Sequence, residues 1–317
     1  MSGPRIAVAT IIVVATWAAA IALVIEDHGA GEVSGRSASP GRALAVHPPD
    51  LGTAPISRTP LAVSPAPGPT PVRIRFRDPP RAGLLFDVDS GEVLWQEHPR
   101  RRLPIASLTK MMTALLIAER HRLSERLRIT GAALNYSGSG IGLLPRGKRV
   151  KLKPLLYGLL LVSGNDAAIA LAQHDARSQR RFVARMNRRS AGLGLRCTHF
   201  STPSGILDRG NYSCPLDLAT LARLDLANPV IRRIVATRRA RFRFPTKGGV
   251  LDLFNINPFI AAAKPGFSGV KTGLTQAAGR CYVITAHRGG RHLGVVLLHS
   301  PDPLRQIPRL LRAGAGA

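Results

Sequence analysis

Residues 83–95 read Gly-Leu-Leu-Phe-Asp-Val-Asp-Ser-Gly-Glu-Val-Leu-Trp, two apolar runs separated by Asp89-Ser90-Gly91. Short apolar runs on either side of a glycine-containing turn are typical of a β-hairpin. This stretch predicts the first two strands of a folded body that begins near Ala82.

Helical patterns follow the hairpin, and strands return only near the end of the chain. The apolar periodicity predicts helices over residues 106–121, 152–162, 166–173, 180–191, 216–226 and 304–312. Late strands are predicted over residues 267–272, 281–286 and 292–299, the last two joined through Gly289-Gly290. Strands at both ends with helices between them indicate an α+β fold, one antiparallel sheet packed with helices plus a helical subdomain.

A serine and a lysine lie three residues apart in Ser107-Leu108-Thr109-Lys110, where the first helix starts. Residues at this spacing share a helix face, so the hydroxyl and the amine can meet. A lysine activates a serine as a nucleophile only if burial or another cation lowers its pKa. The spacing is common, so the motif alone indicates little.

Two further motifs are ambiguous on their own. Ser163-Gly164-Asn165 lies between two predicted helices in an apolar stretch, where polar groups need partners, and a helix cap explains it equally well. Lys271-Thr272-Gly273 ends a late strand and offers a positive charge, a hydrogen-bond donor and room for a ligand backbone. An ordinary strand end with a turn glycine is the alternative.

In this order the three motifs resemble the signature of penicillin-binding proteins and serine β-lactamases. The surrounding segments resemble the D-alanyl-D-alanine carboxypeptidases, which are low-molecular-mass penicillin-binding proteins, over roughly residues 82–302. Those segments are residues 104–113, 156–168, 182–187 and 269–275. The resemblance implies the DD-peptidase/β-lactamase-like fold and removal of the terminal D-alanine from peptidoglycan stem peptides that end in D-Ala-D-Ala. It also implies covalent inhibition by β-lactams, no cofactor and no nucleic-acid partner.

The resemblance also implies a role for each motif residue. Ser107 would be the acylated nucleophile, Lys110 its general base, and Ser163 a proton relay to the leaving D-alanine. Asn165 would hold the peptide.

The remaining motif residues would bind the substrate's end. Lys271 and Thr272, beside Gly273, would bind the terminal carboxylate, and the charge of Lys271 would keep Lys110 partly deprotonated. Backbone N–H groups of Ser107 and Leu274 would form the oxyanion hole.

Two segments depart from the family pattern. Residues 202–205, Thr-Pro-Ser-Gly, stand where Asn-Pro-His-Gly is common, and residues 174–177, His-Asp-Ala-Arg, replace a Gly-Ser-like turn. These differences affect local loop contacts rather than the acylation residues.

Two alternatives stay open. A serine β-lactamase of the class that activates its deacylating water with a glutamate needs that residue well after Ser163, and the last glutamate of the chain is Glu125. A non-catalytic, basic cell-wall-binding protein of the same fold is the other alternative, against which the intact motifs argue.

The amino-terminal residues predict export. Residues Ile6–Ile25 carry no charge and are long enough for one membrane crossing, so residues 1–27 form either an uncleaved anchor or a cleaved signal peptide. Residues 28–80 contain eleven prolines from Pro40 onward and predict a disordered linker. Residues 81–317 would form an extracytoplasmic enzyme domain, tethered to the membrane or secreted.

The composition is strongly basic, with 45 Lys and Arg against 18 Asp and Glu, a net charge of +27. Such a charge suits an anionic partner, but scattered arginines from a biased genome explain it as well. Only seven of the basic residues are lysine, yet lysine stands at positions 110 and 271. No His-x-x-x-His or Cys-x-x-Cys spacing occurs, so no metal site is expected.

Three cysteines remain to be assigned. In an exported protein, Cys197 and Cys214 are expected to form a disulfide that pins the intervening loop near the active site. Cys281 lies in an apolar strand and would stay a free, buried thiol. Three reduced, packed cysteines are the alternative.

Overall fold

A computed structural model describes residues 60–317, so the predicted anchor and the linker up to residue 59 lie outside the described residues. The strands are β1 (Ala82–Asp87), β2 (Val93–Glu97), β3 (Leu103–Pro104), β4 (Arg126–Arg128), β5 (Arg149–Lys151), β6 (Tyr212–Ser213), β7 (Arg239–Arg243), β8 (Val250–Phe254), β9 (Phe267–Thr275), β10 (Gly279–Arg288) and β11 (Arg291–Leu298). The helices are α1 (Lys110–Arg120), α2 (Gly131–Leu134), α3 (Leu152–Leu161), α4 (Asn165–Ala176), α5 (Gln179–Gly192), α6 (Pro215–Ala227), α7 (Pro229–Val235), α8 (Pro258–Ala261) and α9 (Pro303–Ala315).

Five of the strands form one antiparallel sheet in the order β2-β1-β11-β10-β9. Ala82 at the start of β1 pairs with Leu298 at the end of β11, so strands from distant parts of the chain are neighbours in the sheet. The predicted α+β class, with late strands completing a sheet that the hairpin begins, is confirmed.

Both faces of this sheet are covered, which explains why its strands are apolar at consecutive positions. On β1, Leu84 and Phe86 belong to the core shared with α1 and α6, whereas Leu85 belongs to the core beneath α9. On β11, Val296 and Val295 divide in the same way. The sheet is therefore the middle layer between α9 and the larger helical region.

An aspartate side chain stabilises the predicted β1–β2 turn, and two glycines allow the predicted β10–β11 turn. The Asp87 Oδ1 accepts from the backbone N–H groups of Asp89 at 3.1 Å and Ser90 at 2.9 Å. Gly289 and Gly290 have φ angles of 55° and 75°, the left-handed region that a tight turn with two glycines uses. Both predicted hairpins are thereby formed.

The end of the predicted linker is not a disordered tether, which corrects the predicted boundary at residue 81. Val63 and Val72 are buried, and the Val72 N–H donates to the Leu94 carbonyl at 3.0 Å. Trp95 Nε1 donates to the Ile74 carbonyl at 3.2 Å, and the Phe76 ring meets the Trp95 ring edge-on. Proline prevents a helix here but leaves apolar side chains free to pack against β2.

The six predicted helices all form, with ends that differ by a few residues. The nucleophile segment begins with a 3₁₀ turn, Ala106–Thr109, before α1. Among residues 60–317, no helix is both long and apolar enough to cross a membrane. Sequence reasoning did not identify the short pairs β3–β6, β4–β5 and β7–β8.

Cys197 and Cys214 form the expected disulfide, with their Cα atoms 5.6 Å apart. Cys281 is a free, buried thiol on β10, as predicted. The bridge ties the segment after α5 to the residue that precedes α6, and it closes a loop that includes residues 202–211.

Candidate active site

The turn that carries Ser107 lies against the edge strand β9. Ser107 is partly exposed, and Ala106 before it has a φ of 47°, a left-handed conformation that is uncommon for a non-glycine residue. A Cβ atom on Gly273 would lie 3.0 Å from the Ser107 nitrogen and 3.0 Å from the Ile105 carbonyl oxygen. Glycine at position 273 therefore lets β9 approach the serine closely.

Lys110 is fully buried and its amine meets three oxygens. The Nζ atom lies 2.9 Å from the Ser107 Oγ, 2.7 Å from the Asn165 Oδ1 and 2.8 Å from the Ser204 carbonyl oxygen. All three partners are neutral. A neutral amine donates two hydrogen bonds and accepts one, so it can donate to the amide and the carbonyl while accepting the Ser107 proton.

The electrostatics favour that neutral form. Burial, followed by the positive charge of Lys271, holds the pKa of Lys110 well below its usual value, while the Asp166 charge acts in the opposite direction. Burial lowers the pKa of Lys271 to about 7, and its Nζ donates to the Thr272 carbonyl at 2.7 Å. Ser107 therefore lies beside a lysine of depressed pKa, as general-base chemistry requires, and a second lysine of depressed pKa lies near that base.

Ser163 follows α3 with a φ of 59° and is only 3% exposed. Within the described residues its hydroxyl has no hydrogen-bond partner. A buried hydroxyl without a partner costs free energy unless a bound molecule supplies the missing hydrogen bond. The helix-cap interpretation does not account for Ser163, because it makes no such contact with α4.

Asn165 begins α4 and has both ends of its amide engaged. The Oδ1 accepts from Lys110, and the Nδ2 donates to the Ser137 carbonyl at 2.6 Å. The residue thus links Lys110 to the loop between α2 and β5. Its role in holding the peptide stays a prediction.

Asp166 fixes the other side of that loop. Its carboxylate accepts from the backbone N–H groups of Ile141 and Gly142, both at 2.9 Å, and from Ala167 at 2.7 Å. Burial raises the pKa of Asp166 despite these hydrogen bonds. The loop therefore has defined contacts with the first turn of α4.

Sequence reasoning missed the contribution of residues 202–211. The Ser204 carbonyl oxygen accepts from Lys110, and the Pro203 carbonyl oxygen accepts from the Thr113 hydroxyl at 2.7 Å. Asn211, fully buried, is hydrogen-bonded through its side chain to Thr109. The sequence signal for this contribution is the Pro-Ser-Gly segment at residues 203–205, which departs from the family pattern.

The remaining predicted residues lie along β9. Lys271 is buried, Thr272 is partly exposed and Leu274 is 44% exposed. In the described part of the chain β9 pairs with β10 alone, so its other edge faces the nucleophile turn. The predicted serine, lysines and Ser-x-Asn motif thus belong to adjoining elements.

Known proteins are similar to this chain in sequence and in fold. A family model described as D-alanyl-D-alanine carboxypeptidase matches residues 80–302. A D-alanyl-D-alanine carboxypeptidase of Bacillus subtilis is 34% identical over 70% of this chain and 58% of its own length. One from Mycobacterium tuberculosis is 36% identical over 70% of this chain and 75% of its own length.

Solved structures agree with the sequence matches. The Streptomyces K15 DD-transpeptidase matches with a TM-score of 0.71 and 29% identity, covering 77% of this chain and all of that one. A D-alanyl-D-alanine carboxypeptidase from Mycobacterium tuberculosis matches with a TM-score of 0.67 and 33% identity, over 74% of this chain and 86% of that one. The fold is that of the DD-peptidases, and the chain belongs to the D-alanyl-D-alanine carboxypeptidase family of serine peptidases.

Proposed function

We propose that this protein removes the terminal D-alanine from peptidoglycan stem peptides that end in D-Ala-D-Ala, through an acyl-enzyme on Ser107. The observation that carries this proposal is the contact between the Lys110 Nζ and the Ser107 Oγ at 2.9 Å, in a site where the amine is fully buried. Family membership supports the substrate class.

In the acylation step, the Ser107 Oγ attacks the carbonyl carbon of the penultimate D-alanine while its proton passes to Lys110. The developing oxyanion accepts from the backbone N–H groups of Ser107 and Leu274, an arrangement worth about 10²–10³ in rate per donor in other enzymes. The peptide C–N bond then breaks, and the leaving D-alanine nitrogen takes up a proton. Ser163, whose hydroxyl is buried without a partner in the described residues, would relay that proton from the protonated Lys110.

Lys271 would hold the carboxylate of the terminal D-alanine. Lys271 is buried on β9, the strand that lies against the Ser107 turn, so the substrate carboxylate would give its ammonium an ionic partner in a largely dry site. Water then attacks the ester carbonyl of the acyl-enzyme and loses a proton to Lys110. The ester C–O bond breaks, and the Ser107 oxygen takes up that proton. Ser107 is thereby regenerated, and the shortened peptide leaves.

Covalent labelling tests the nucleophile. The protein is incubated with a fluorescent penicillin, and intact-mass spectrometry measures the adduct in the wild-type chain and in Ser107→Ala. A stoichiometric adduct on the wild type and its absence from the variant are expected. Labelling that survives Ser107→Ala would reject the assignment.

The β-lactamase alternative is tested by the fate of that adduct. Glu125 follows the carboxyl-terminal end of α1, whereas Ser107 lies just before its amino-terminal end, so Glu125 cannot reach a deacylating water at Ser107. The penicilloyl enzyme should therefore persist for many minutes. Rapid, repeated turnover of penicillin would favour a β-lactamase.

We also propose that the enzyme acts outside the cytoplasm, held at the membrane by residues Ile6–Ile25 or released when that segment is cleaved. The Cys197–Cys214 disulfide supports this location, because such bonds persist mainly in oxidising compartments. Protease accessibility in intact spheroplasts tests it: digestion of the domain by added protease is expected. Full protection until lysis would contradict it.

A further inference from the structure

Two helices carry Lys110 and Asn165 at their first residues, and a cluster of titratable side chains joins the opposite ends of the same helices. His121 follows the last residue of α1, and His174 lies in the last turn of α4. Glu125 is on the segment between α1 and β4. At about 1.5 Å per residue, the eleven residues of α1 separate this cluster from Lys110 by roughly 16 Å.

One carboxylate oxygen is shared by both imidazoles. The Glu125 Oε2 lies 2.9 Å from the His121 Nδ1 and 3.0 Å from the His174 Nε2. The other oxygen, Oε1, accepts from the Arg122 backbone N–H at 2.7 Å. The backbone therefore fixes the carboxylate so that one oxygen and two ring nitrogens converge.

The second ring nitrogen of His121 faces a second carboxylate. The Nε2 lies 3.0 Å from the Asp175 Oδ1, and the Asp175 carboxylate is fully buried. A neutral imidazole carries one ring proton and can donate to only one of these two carboxylates. When Nε2 donates to Asp175, the lone pair of Nδ1 faces the lone pairs of Glu125, an arrangement that a cation relieves.

We propose that His121, Glu125 and His174 bind a zinc ion through Nδ1, Oε2 and Nε2. These three atoms lie within 4.8 Å of one another. Ligands about 2.0–2.2 Å from a tetrahedral zinc are roughly 3.3 Å apart, so small side-chain rotations complete the site. Two imidazoles and a carboxylate suit zinc, and Asp175 is the outer carboxylate that commonly orients a zinc-bound histidine.

The exposure of the cluster leaves a position for a fourth ligand. The side chains of His121, His174 and Glu125 are 15%, 22% and 35% exposed. Water can therefore reach the metal. Arg120 and Arg185 pair with Asp175. Among residues 60–317 the Glu125 carboxylate forms ion pairs only with the two histidines, so no arginine neutralises it there.

Sequence spacing could not reveal this site, because the two histidines are far apart in the chain and the departure at residues 174–177 supplies one of them. A bound zinc would connect the carboxyl-terminal ends of α1 and α4. Its expected role is to hold together the two helices whose other ends carry the base and Asn165.

Metal binding to the full-length chain tests the proposal without reference to catalysis. The detergent-purified protein is stripped with a chelator and dialysed against zinc chloride, and bound metal is measured by atomic emission. One zinc per chain is expected, with binding at least 10-fold weaker in His174→Ala and in Glu125→Gln. His98→Ala is the matched control, because the His98 side chain is 60% exposed and lies elsewhere.

Thermal unfolding provides a second readout. Zinc should raise the Tm of the wild type and of His98→Ala by several degrees, and that of the two cluster variants by much less. Glu125→Gln keeps the side-chain size, so it remains informative if His174→Ala fails to fold. Absence of saturable zinc binding, or equal binding in wild type and both cluster variants, overturns the proposal.

Discussion

Buried cations serve opposite purposes in two regions of this molecule. In the active site, Lys110 and Lys271 are buried, and their hydrogen-bond partners in the described residues are neutral oxygens. Where α6 meets the first hairpin, Arg223 is 5% exposed and donates to the carbonyls of Val88 at 2.7 Å, Leu61 at 2.9 Å and Asp89 at 2.7 Å.

The difference lies in what each cation does with its proton. An ammonium surrounded by neutral oxygens can become an uncharged amine, whereas a guanidinium stays charged and keeps its donors in a fixed fork. Arg223 therefore connects α6 to the first hairpin and to the segment at Leu61 through hydrogen bonds that do not depend on pH. The lysines instead form a site whose charge can change. In a chain with seven lysines among 45 basic residues, this chemistry explains the lysine at position 110, which is proposed to accept the Ser107 proton.

Replacing Lys110, the proposed base, by arginine should have the largest effect on the rate of acylation. Lys110→Arg keeps a positive charge but removes the ability to accept the Ser107 proton. We expect the rate of penicillin acylation to fall about 10³-fold, within the range usual for loss of a general base. Stopped-flow acylation measures it, with circular dichroism to verify folding. Retention of a tenth of the wild-type rate would show that Lys110 is not the base.

Replacing Lys271 should test the role of its charge in binding the substrate without removing the proposed base, Lys110. Lys271→Ala is expected to lower kcat/KM for release of D-alanine by about 100-fold, because the substrate carboxylate loses its ionic partner in a largely dry site. Lys271→Arg is the matched control and should retain more activity than Lys271→Ala. An unchanged kcat/KM in Lys271→Ala would rule out the carboxylate-binding role.

The pH profile sharpens the comparison further. Lys110 must be neutral to act as base, so kcat/KM should fall about tenfold per pH unit below its depressed pKa. Lys271 must be protonated to bind a carboxylate, so kcat/KM should fall above a pKa of about 7. Because the Lys271 charge lowers the pKa of Lys110, Lys271→Ala should move the acidic limb to higher pH and abolish the basic limb. A variant profile identical to that of the wild type would contradict this coupling.

Replacing Arg223, the arginine that connects α6 to the first hairpin, should have the smallest effect on catalysis. Arg223→Lys cannot donate to three carbonyls in the same fork geometry, and we expect a loss of about 2 kcal/mol in the free energy of unfolding. For a domain of this size that corresponds to a fall in Tm of about 5 °C. Calorimetry measures the Tm, and penicillin acylation should remain within twofold of wild type. A large loss of acylation with an unchanged Tm would reverse the assignment.

Long segments with a clear apolar pattern were predictable from the sequence. Contacts between side chains close together in the sequence were predictable as well. The strands on both sides of Gly289-Gly290 and the Ser107–Lys110 pair needed only short-range spacing. Contacts made by backbone groups were not predictable. The Ser204 carbonyl oxygen accepts from Lys110, which is 94 residues away in the sequence, and a backbone carbonyl is the same in every residue type. The short arginine-rich strand β7 was missed because its residues have no apolar run.

The packed segment before Ala82 determines how the domain can be shortened. Val72 is buried in the core beneath α9, Ile74 and Phe76 pack against that core, and the Leu61 carbonyl is one of the three acceptors of Arg223. A chain that began at Ala82 would expose Leu94 and Trp95 to solvent. A contiguous apolar surface of that kind promotes self-association, so soluble preparations require the residues from 60 onward.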